Sequence, residues 1–418
     1  MLLASFFKRL IRRGRLTLID ARNRVYEFGE DTPKALPAVA VKLHDRALEW
    51  KLLVNAPLHL GEAYMDGTLT VEQGTLADFL ALLLANQMTA PPGLLEKLAT
   101  ETRFLLRRLR QHNPVRRARH NVAHHYDLSE RLYRLFLDDD LQYSCAYFAD
   151  SRDTLETAQL HKKAHIAGKL ALAPKHCVLD IGSGWGGLDL YLHRETGVEV
   201  TGVTLSEEQL RVAQSRAMEA HVEQHVRFLL KDYRALEGTF DRIVSVGMFE
   251  HVGVGHYPDF FASIAKLLTD DGVALIHTIG RSDGPGATQP WIEKYIFPGG
   301  YTPALSEILP AIERAGLIVC DVEVLRLHYA ETLKAWRKRL YRNWREIAAI
   351  YDERFCRMWE FYLAGAEMGF RHQGLVVFQL QIAKSIDALP VTRDYMASWE
   401  RAHAATAGPR APCVRRQA

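Results

Sequence analysis

Three groups of residues in this chain have the types and spacing to do chemistry. The first is Val178-Leu179-Asp180-Ile181-Gly182-Ser183-Gly184-Trp185-Gly186-Gly187, an apolar strand that runs into a glycine loop and then into a helix read from Leu188 to Leu192. A turn without side chains at the end of a strand lets backbone N–H groups approach a ligand closely. The second group is Glu250-His251, directly after the apolar run Phe240 to Val246, with His277 inside the run Gly272 to Ile279. The third is Tyr143-Ser144-Cys145-Ala146-Tyr147-Phe148, which follows His124-His125-Tyr126-Asp127-Leu128. Taken singly, each is ordinary: a strand histidine is more often hydrogen-bonded core, a lone cysteine a small buried hydrophobe, and Glu250 a turn acid. A lone glycine loop is also shared with dinucleotide-binding folds, so its context decides.

That context repeats at the spacing of a doubly wound α/β sheet. Glu199 to Thr204 reads as a second strand, followed by Leu205-Ser206 and a helix from Glu207 to about Ala220, where Ser206 and Gln209 form a capping box. A third strand, Val226 to Leu230, ends in Lys231-Asp232-Tyr233; a fourth, Phe240 to Val246, ends in Gly247-Met248-Phe249-Glu250-His251; a fifth ends in His277-Thr278-Ile279-Gly280. Ligands of such folds sit at the carboxyl ends of the strands, so these segments converge on one crevice. A dinucleotide would call for an acid at the end of the second strand to hold a ribose. Thr204-Leu205-Ser206 stands there instead, which favours S-adenosylmethionine, with Asp232 accepting from the adenine amino group and Tyr233 stacking on the ring.

Composition allows two domains: 418 residues, 48% hydrophobic and 25% charged, with a net charge of +3 that names no partner. The longest apolar run, Leu76 to Met88, contains Asp78 and falls short of the roughly 18 residues that would span a bilayer. Five cysteines show neither metal-ligand spacing nor a paired framework, so no metal is expected and a reducing cytoplasm suits the chain. Near the start, Leu3, Phe6, Phe7, Leu10 and Ile11 recur at helical spacing among Lys8, Arg9, Arg12, Arg13 and Arg15. This order is wrong for a signal peptide. It suits a helix lying on an anionic membrane, or equally one docked on its own domain. Seven arginines between Arg103 and Arg119 read as a helical linker; without stacking aromatics they give no reason to expect nucleic acid. Lys334 to Arg345 interleaves Trp336, Tyr341 and Trp344 with basic residues, as a membrane interface or a core-packing helix would. Residues 16–90 read as a small α+β unit, with strands at Val25 to Phe28 and Val39 to Leu43, a turn at Arg22-Asn23-Arg24, and helices at Asp45 to Leu53 and Leu76 to Leu84. The expected domains are 1–110, 111–395 and a disordered tail at 396–418.

Tyr126-Asp127-Leu128, Tyr143 to Tyr147, Leu179 to Gly187, Val203 to Ser206, Asp241 to Gly253 and His277 to Gly280 together resemble the cyclopropane-fatty-acyl-phospholipid synthase family. The likeness runs from about Asn121 to Leu380, and Gly61-Glu62-Ala63-Tyr64-Met65-Asp66-Gly67 extends it into the first domain. The resemblance implies a cytoplasmic enzyme at the inner membrane face, working on an unsaturated phospholipid, with a homodimer as the oligomer it prompts. The methyl of S-adenosylmethionine goes to a cis double bond, and bound bicarbonate removes a proton from the resulting carbocation so that a ring closes. Carried over by resemblance, Cys145 and Ile279 offer backbone N–H groups to bicarbonate, Glu250 accepts its O–H, His277 orients it and Tyr329 donates from outside. The expected cofactor residues are Tyr143, Ser144, Asp180, Gly182, Gly184, Trp185, Gly186, Thr204, Leu205, Ser206, Gln209, Asp232 and Tyr233, with His251 and His256 structural. An acyl chain needs an apolar tunnel, for which Phe260, Phe261, Trp291, Tyr295, Phe297 and Tyr301 are the expected walls. The chain departs from some family members at Ala366, where they have a cysteine. The alternative product, from the same site without ring closure, is a methyl-branched or methylene fatty acid. A nucleic-acid methyltransferase is disfavoured because Glu250-His251 occupies the place of its base-receiving loop.

Overall fold

Val178 and Leu179 are neighbours in one strand, so their side chains point to opposite faces, yet both are buried. A parallel strand covered by helices on both sides requires this. In the computed structural model, which describes residues 2–30, 36–87, 101–104, 107 and 129–404, Leu179, Ile181 and Ile243 pack toward the helix Tyr257–Leu267. Val178, Val200 and Val244 pack toward the helices Leu155–Leu170, Gly187–Thr196 and Glu207–Glu219.

The sheet comprises β5 (Cys177–Ile181), β6 (Glu199–Thr204), β7 (Val226–Leu230), β8 (Phe240–Val246), β9 (Leu268–Arg281), β10 (Ile318–Val324) and β11 (Leu375–Ala383), in the order β10-β11-β9-β8-β5-β6-β7. The first five are mutually parallel, while β11 runs antiparallel to both β9 and β10. Strand order reverses between β5 and β8, which opens the crevice at their carboxyl ends. All five strands read from the sequence are present; β10 and β11 were not anticipated.

A second sheet, in the order β2-β1-β3-β4, is built from β1 (Leu16–Ile19), β2 (Val25–Phe28), β3 (Val39–Leu43) and β4 (Leu69–Gln73). Asn23, at φ 60°, makes the turn between β1 and β2. The helix expected to stop at Leu53 continues to Met65 through a kink at Asn55, two residues before Pro57, whose ring cannot sit in a regular helix. The helix Leu2–Leu10 lays its apolar face on this unit: Leu3, Phe7 and Ile11 are buried, with Phe7 5.9 Å from Phe28. Asn86 Oδ1 accepts from the backbone N–H groups of Arg12 and Arg13, both at 3.0 Å. Leu3, Phe7 and Ile11 thus dock the helix on its own unit, while Phe6 and Leu10 stay half-buried.

The Gly61–Gly67 segment joins the two units. Gly61 lets the chain approach Trp291 so closely that an added Cβ would stand 2.4 Å from the indole nitrogen. That N–H donates to Met65 Sδ (3.3 Å), Lys294 and Tyr295 donate to Glu62 (2.7 and 3.0 Å), and Tyr64 O–H donates to the buried Glu360 (2.5 Å). Trp336 is fully buried, so its basic helix packs its tryptophan on the core. The expected tail boundary at 396 is corrected: Asp394–Ala404 is a helix lying on Leu155–Leu170, where His165 meets Glu400 at 2.6 Å and Trp399 covers Gly168. Tyr126-Asp127-Leu128, most of the arginine block and residues 405–418 lie outside the described residues; Arg107, which is described, pairs with Glu307 at 3.0 Å.

Overpacking a close contact costs about 1–3 kcal/mol. Gly61→Val should therefore lower the urea midpoint of unfolding and change the Trp291 environment in near-ultraviolet circular dichroism. An unaltered midpoint and spectrum would refute the close approach.

Candidate active site

Two hollows meet at the carboxyl ends of β5, β6, β8 and β9. The first, about 170 Å³, is lined by eleven of the residues expected around a cofactor: Tyr143, Ser144, Asp180, Gly182, Gly184, Trp185, Thr204, Leu205, Gln209, Asp232 and Tyr233. Gly184 has φ +54° and no atom within 4 Å of the place a Cβ would take, so a side chain there would stand in the hollow. Thr204 donates to Gln209 Oε1 at 3.0 Å, while Ser206 Oγ caps the helix by accepting from Gln209 N–H at 3.3 Å. The capping box is thus half made, because the Gln209 side chain turns to the crevice wall. Asp180 and Asp189 share a buried site. Burial raises both carboxyls, Asp189 the further.

Two expectations are corrected here. Gly186 does not line the hollow; its φ of +78° starts the helix Gly187–Thr196, and a Cβ would strike Phe228 at 2.7 Å. Ser206 is a helix cap outside the lining. Asp232 lines the hollow as expected, and its carboxylate also accepts from the Arg234 guanidinium at 2.9 and 2.7 Å. Lys231, Gly247, Met248 and His251, read only as members of converging strand ends, line it too, and sequence reading missed Gln142, Arg234 and His256. Their position just after strand ends was the signal for most of them.

The second hollow is a cavity of about 700 Å³, and Tyr143, Ser144, Gly247 and His251 line both. It brings together all five residues expected around the base, Cys145, Glu250, His277, Ile279 and Tyr329. Its far walls are apolar and come from both units, including Leu3, Phe6 and Leu60 of the first and Leu333, Phe361 and Phe370 of the second. Of the expected tunnel aromatics, Trp291, Phe297 and Tyr301 line it. Tyr295 instead bonds Glu62. Phe260 and Phe261 are fully buried behind the sheet, 5.1 and 5.6 Å from Phe249, because their helix turns them into that core. Ala366, Gly365 and Gly369 line one side, where an added Cβ at Gly365 would meet nothing within 4 Å.

Glu250 Oε1 accepts the Ile279 N–H at 2.7 Å, and Oε2 is buried without a partner among the described residues. The expected role of the Ile279 N–H toward an anion is corrected accordingly: the buried carboxyl uses that donor. Burial pushes Glu250 up to about 7. His277 is buried, which lowers it to about 3 and keeps it neutral; Gln379 Nε2 lies 3.1 Å from its Nδ1, leaving the ring proton on Nε2. His251 is likewise pushed down to about 4 by burial. Burial raises the Cys145 thiol far above its usual range, so it is no nucleophile. Tyr329 packs on Trp336 and Phe370, with ring centres 5.8 and 5.0 Å away.

A solved structure of the mycolic acid cyclopropane synthase CmaA1, complexed with SAH and CTAB, matches with a TM-score of 0.60 and 34% identity over 63% of this chain and 97% of that one. The fold and its crevice are those of an S-adenosylmethionine-dependent methyltransferase. The family model described as mycolic acid cyclopropane synthetase matches residues 113–380, and the chain belongs to that family. It is similar to the cyclopropane-fatty-acyl-phospholipid synthase of Escherichia coli K12, at 39% identity over 341 residues, covering 81% of this chain and 86% of that protein. It is also 36% identical over 391 residues to a tuberculostearic acid methyltransferase of Mycobacterium tuberculosis, covering 90% of each.

A carboxyl whose pKa rises on folding keeps a proton that the unfolded chain has released. Between about pH 4.5 and 7, therefore, Glu250 progressively weakens the fold as pH rises. Glu250→Gln should be more stable than wild type by roughly 1–3 kcal/mol at pH 8, with the gain shrinking toward pH 4.5. Thermal unfolding at several pH values checks this, and a pH-independent difference would contradict the buried neutral acid.

Proposed function

We propose that this enzyme adds a one-carbon unit from S-adenosylmethionine to the cis double bond of an unsaturated acyl chain in a membrane phospholipid, closing a cyclopropane ring with bicarbonate as base. One observation carries the reading. A polar crevice with a glycine loop and an apolar cavity meet at Tyr143, Ser144, Gly247 and His251, with an unpartnered carboxyl oxygen of Glu250 just inside the apolar side. S-adenosylmethionine, held along Gly182, Gly184, Thr204, Gln209 and Tyr233, supplies an electrophilic methyl group. The open direction at Gly184 fits such a ligand.

The surrounding residues suit a cation that forms on the acyl chain. The Cys145 thiol stays protonated and His277 uses Nδ1 for Gln379, so neither offers a strong nucleophile to be alkylated. A small oxyacid beside Glu250 would offer its O–H to Oε2, and His277 and Tyr329 line the same cavity as candidates to hold it. Ile279 then acts through Glu250, fixing the carboxyl that fixes the base. Among the described residues no helix is long and apolar enough to cross a membrane. Trp50 and Val54, one turn apart and exposed beside Arg46 and Lys51, suit peripheral contact with an anionic bilayer. The similarity to a tuberculostearic acid methyltransferase favours one rival, the methyl-branched or methylene product.

Lipids from a host expressing wild type should gain monounsaturated-derived chains heavier by one CH₂ that resist hydrogenation. Glu250→Gln should cut turnover by about 10²–10³ while S-adenosylmethionine still binds. No mass gain would sink the reading, and a hydrogenation-sensitive product would replace the ring with the methylene rival. Separately, Trp50→Glu combined with Val54→Glu should weaken sedimentation with anionic phospholipid vesicles; unchanged sedimentation would remove this face from membrane contact.

A further inference from the structure

The helix Leu155–Leu170 buries three lysines, Lys162, Lys163 and Lys169. Burying an ammonium is costly unless an opposite charge meets it. Lys163 has Asp140 and Lys169 has Glu323. Lys162, 1% exposed, differs: among the described residues it forms no ion pair, and its hydrogen bonds go to Ser144 Oγ, at 2.9 Å, and to Gln142 Oε1. A hydroxyl and an amide hold a charge without neutralising it. Asp138 and Asp140 act on it through space, yet burial still drives Lys162 down to about 8.

The consequence falls on Ser144, which lines both the crevice and the cavity. Because its oxygen accepts from Lys162, its own proton must point away from the ammonium, toward the open side. Gln142 has no such freedom, since its nitrogen donates to Asp140 at 3.0 Å while its oxygen accepts from Lys162. The same crevice is lined by the carboxyl of Asp180, whose Oδ1 is buried without a hydrogen-bond partner among the described residues. A hydroxyl donor backed by a buried positive charge, together with a carboxylate, is complementary to a zwitterion.

We infer that Lys162 is a positioning residue through which Ser144 holds the amino-acid carboxylate of S-adenosylmethionine, with Asp180 facing the ammonium of the same group. The inference rests on the cofactor reading above. The hydrogen bond from Ser144 to an anion is charge-assisted at one remove, because the ammonium polarises the hydroxyl that donates.

Calorimetry of the full chain with S-adenosylmethionine and with its decarboxylated analogue tests this, since the analogue keeps adenosine and sulfonium but lacks the carboxylate. Wild type should prefer S-adenosylmethionine. Lys162→Met should shrink that preference roughly tenfold or more and leave affinity for the analogue unchanged. Ser144→Ala should do the same, and the double variant should add little to either single change. Lys162→Met replaces a buried charge by a chain of similar length; should it not unfold cooperatively, Ser144→Ala still reads the preference. Equal weakening toward both ligands, or an unchanged preference, would overturn the assignment by making Lys162 a wall residue only. An effect confined to the bicarbonate dependence of turnover would overturn it too, because the charge would then serve the other hollow. Wild type binding neither ligand would overturn the cofactor reading itself, a result distinguishable from lost preference.

Discussion

Glu250 sits in a largely apolar cavity with one oxygen on the Ile279 N–H and the other without a partner among the described residues, and much of the surrounding structure follows from maintaining that state. Such a group costs several kcal/mol to desolvate, while one hydrogen bond to it returns about 1.5–3 kcal/mol. The position therefore has to be enforced by elements that are stable without it. Parallel pairing of β8 with β9 places Val246 beside His277, and Gly247, at φ +69°, turns the chain so that residue 250 comes back over Ile279. The strands are rigid because both of their faces are buried. The acid is thus placed by the sheet.

The apolar cavity is a product of two units, and neither closes it alone. The helix Glu353–His372 mediates between them. Gly365, Ala366 and Gly369 leave room on its cavity side, while Glu360 takes Tyr64 and Tyr341 and Glu367 takes Arg337 and Arg371. Residues seven apart share a helix face, so two buried acids brace one side as small residues open the other. Tyr64 belongs to the first unit, and its bond to Glu360 ties the cavity's shape to the domain contact.

The parallel strands were legible because a strand buried on both faces is a nearly continuous apolar run bounded by glycine. The pair β10 and β11 was not. Gln379 and Gln381 interrupt the apolar pattern of β11, and only the fold reveals that their amides meet His277, the Lys169 carbonyl and Tyr395. Site residues that ride on strand ends were readable, as Glu250, His277 and Gly184 were. Direction was harder. Phe260 and Trp291 are both aromatic neighbours of the site in sequence, but helix phase sends one behind the sheet and the other into the cavity wall. Gly186 and Ser206 looked like ligand contacts because loop position cannot distinguish a backbone that meets ligand from one that starts a helix.

Polarity is divided across a short distance, and that division gives the site its logic. On the crevice side lie Asp180, Asp232, Arg234 and Lys231, together with the Lys162 ammonium behind Ser144 and Gln142. On the cavity side the titratable groups nearest the junction are held neutral by burial: His251 and His277 are pushed down, the Cys145 thiol is pushed up, and Glu250 is poised near neutrality. Charge in a low-dielectric cavity is stabilised strongly when a preorganised partner faces it and is costly otherwise. A cation formed on an apolar chain there would find little that could capture it and few groups able to hold a proton acceptor in place. Glu250, with one oxygen fixed and one free, is placed to be such a group. The chemistry is confined by what the cavity withholds as much as by what it supplies.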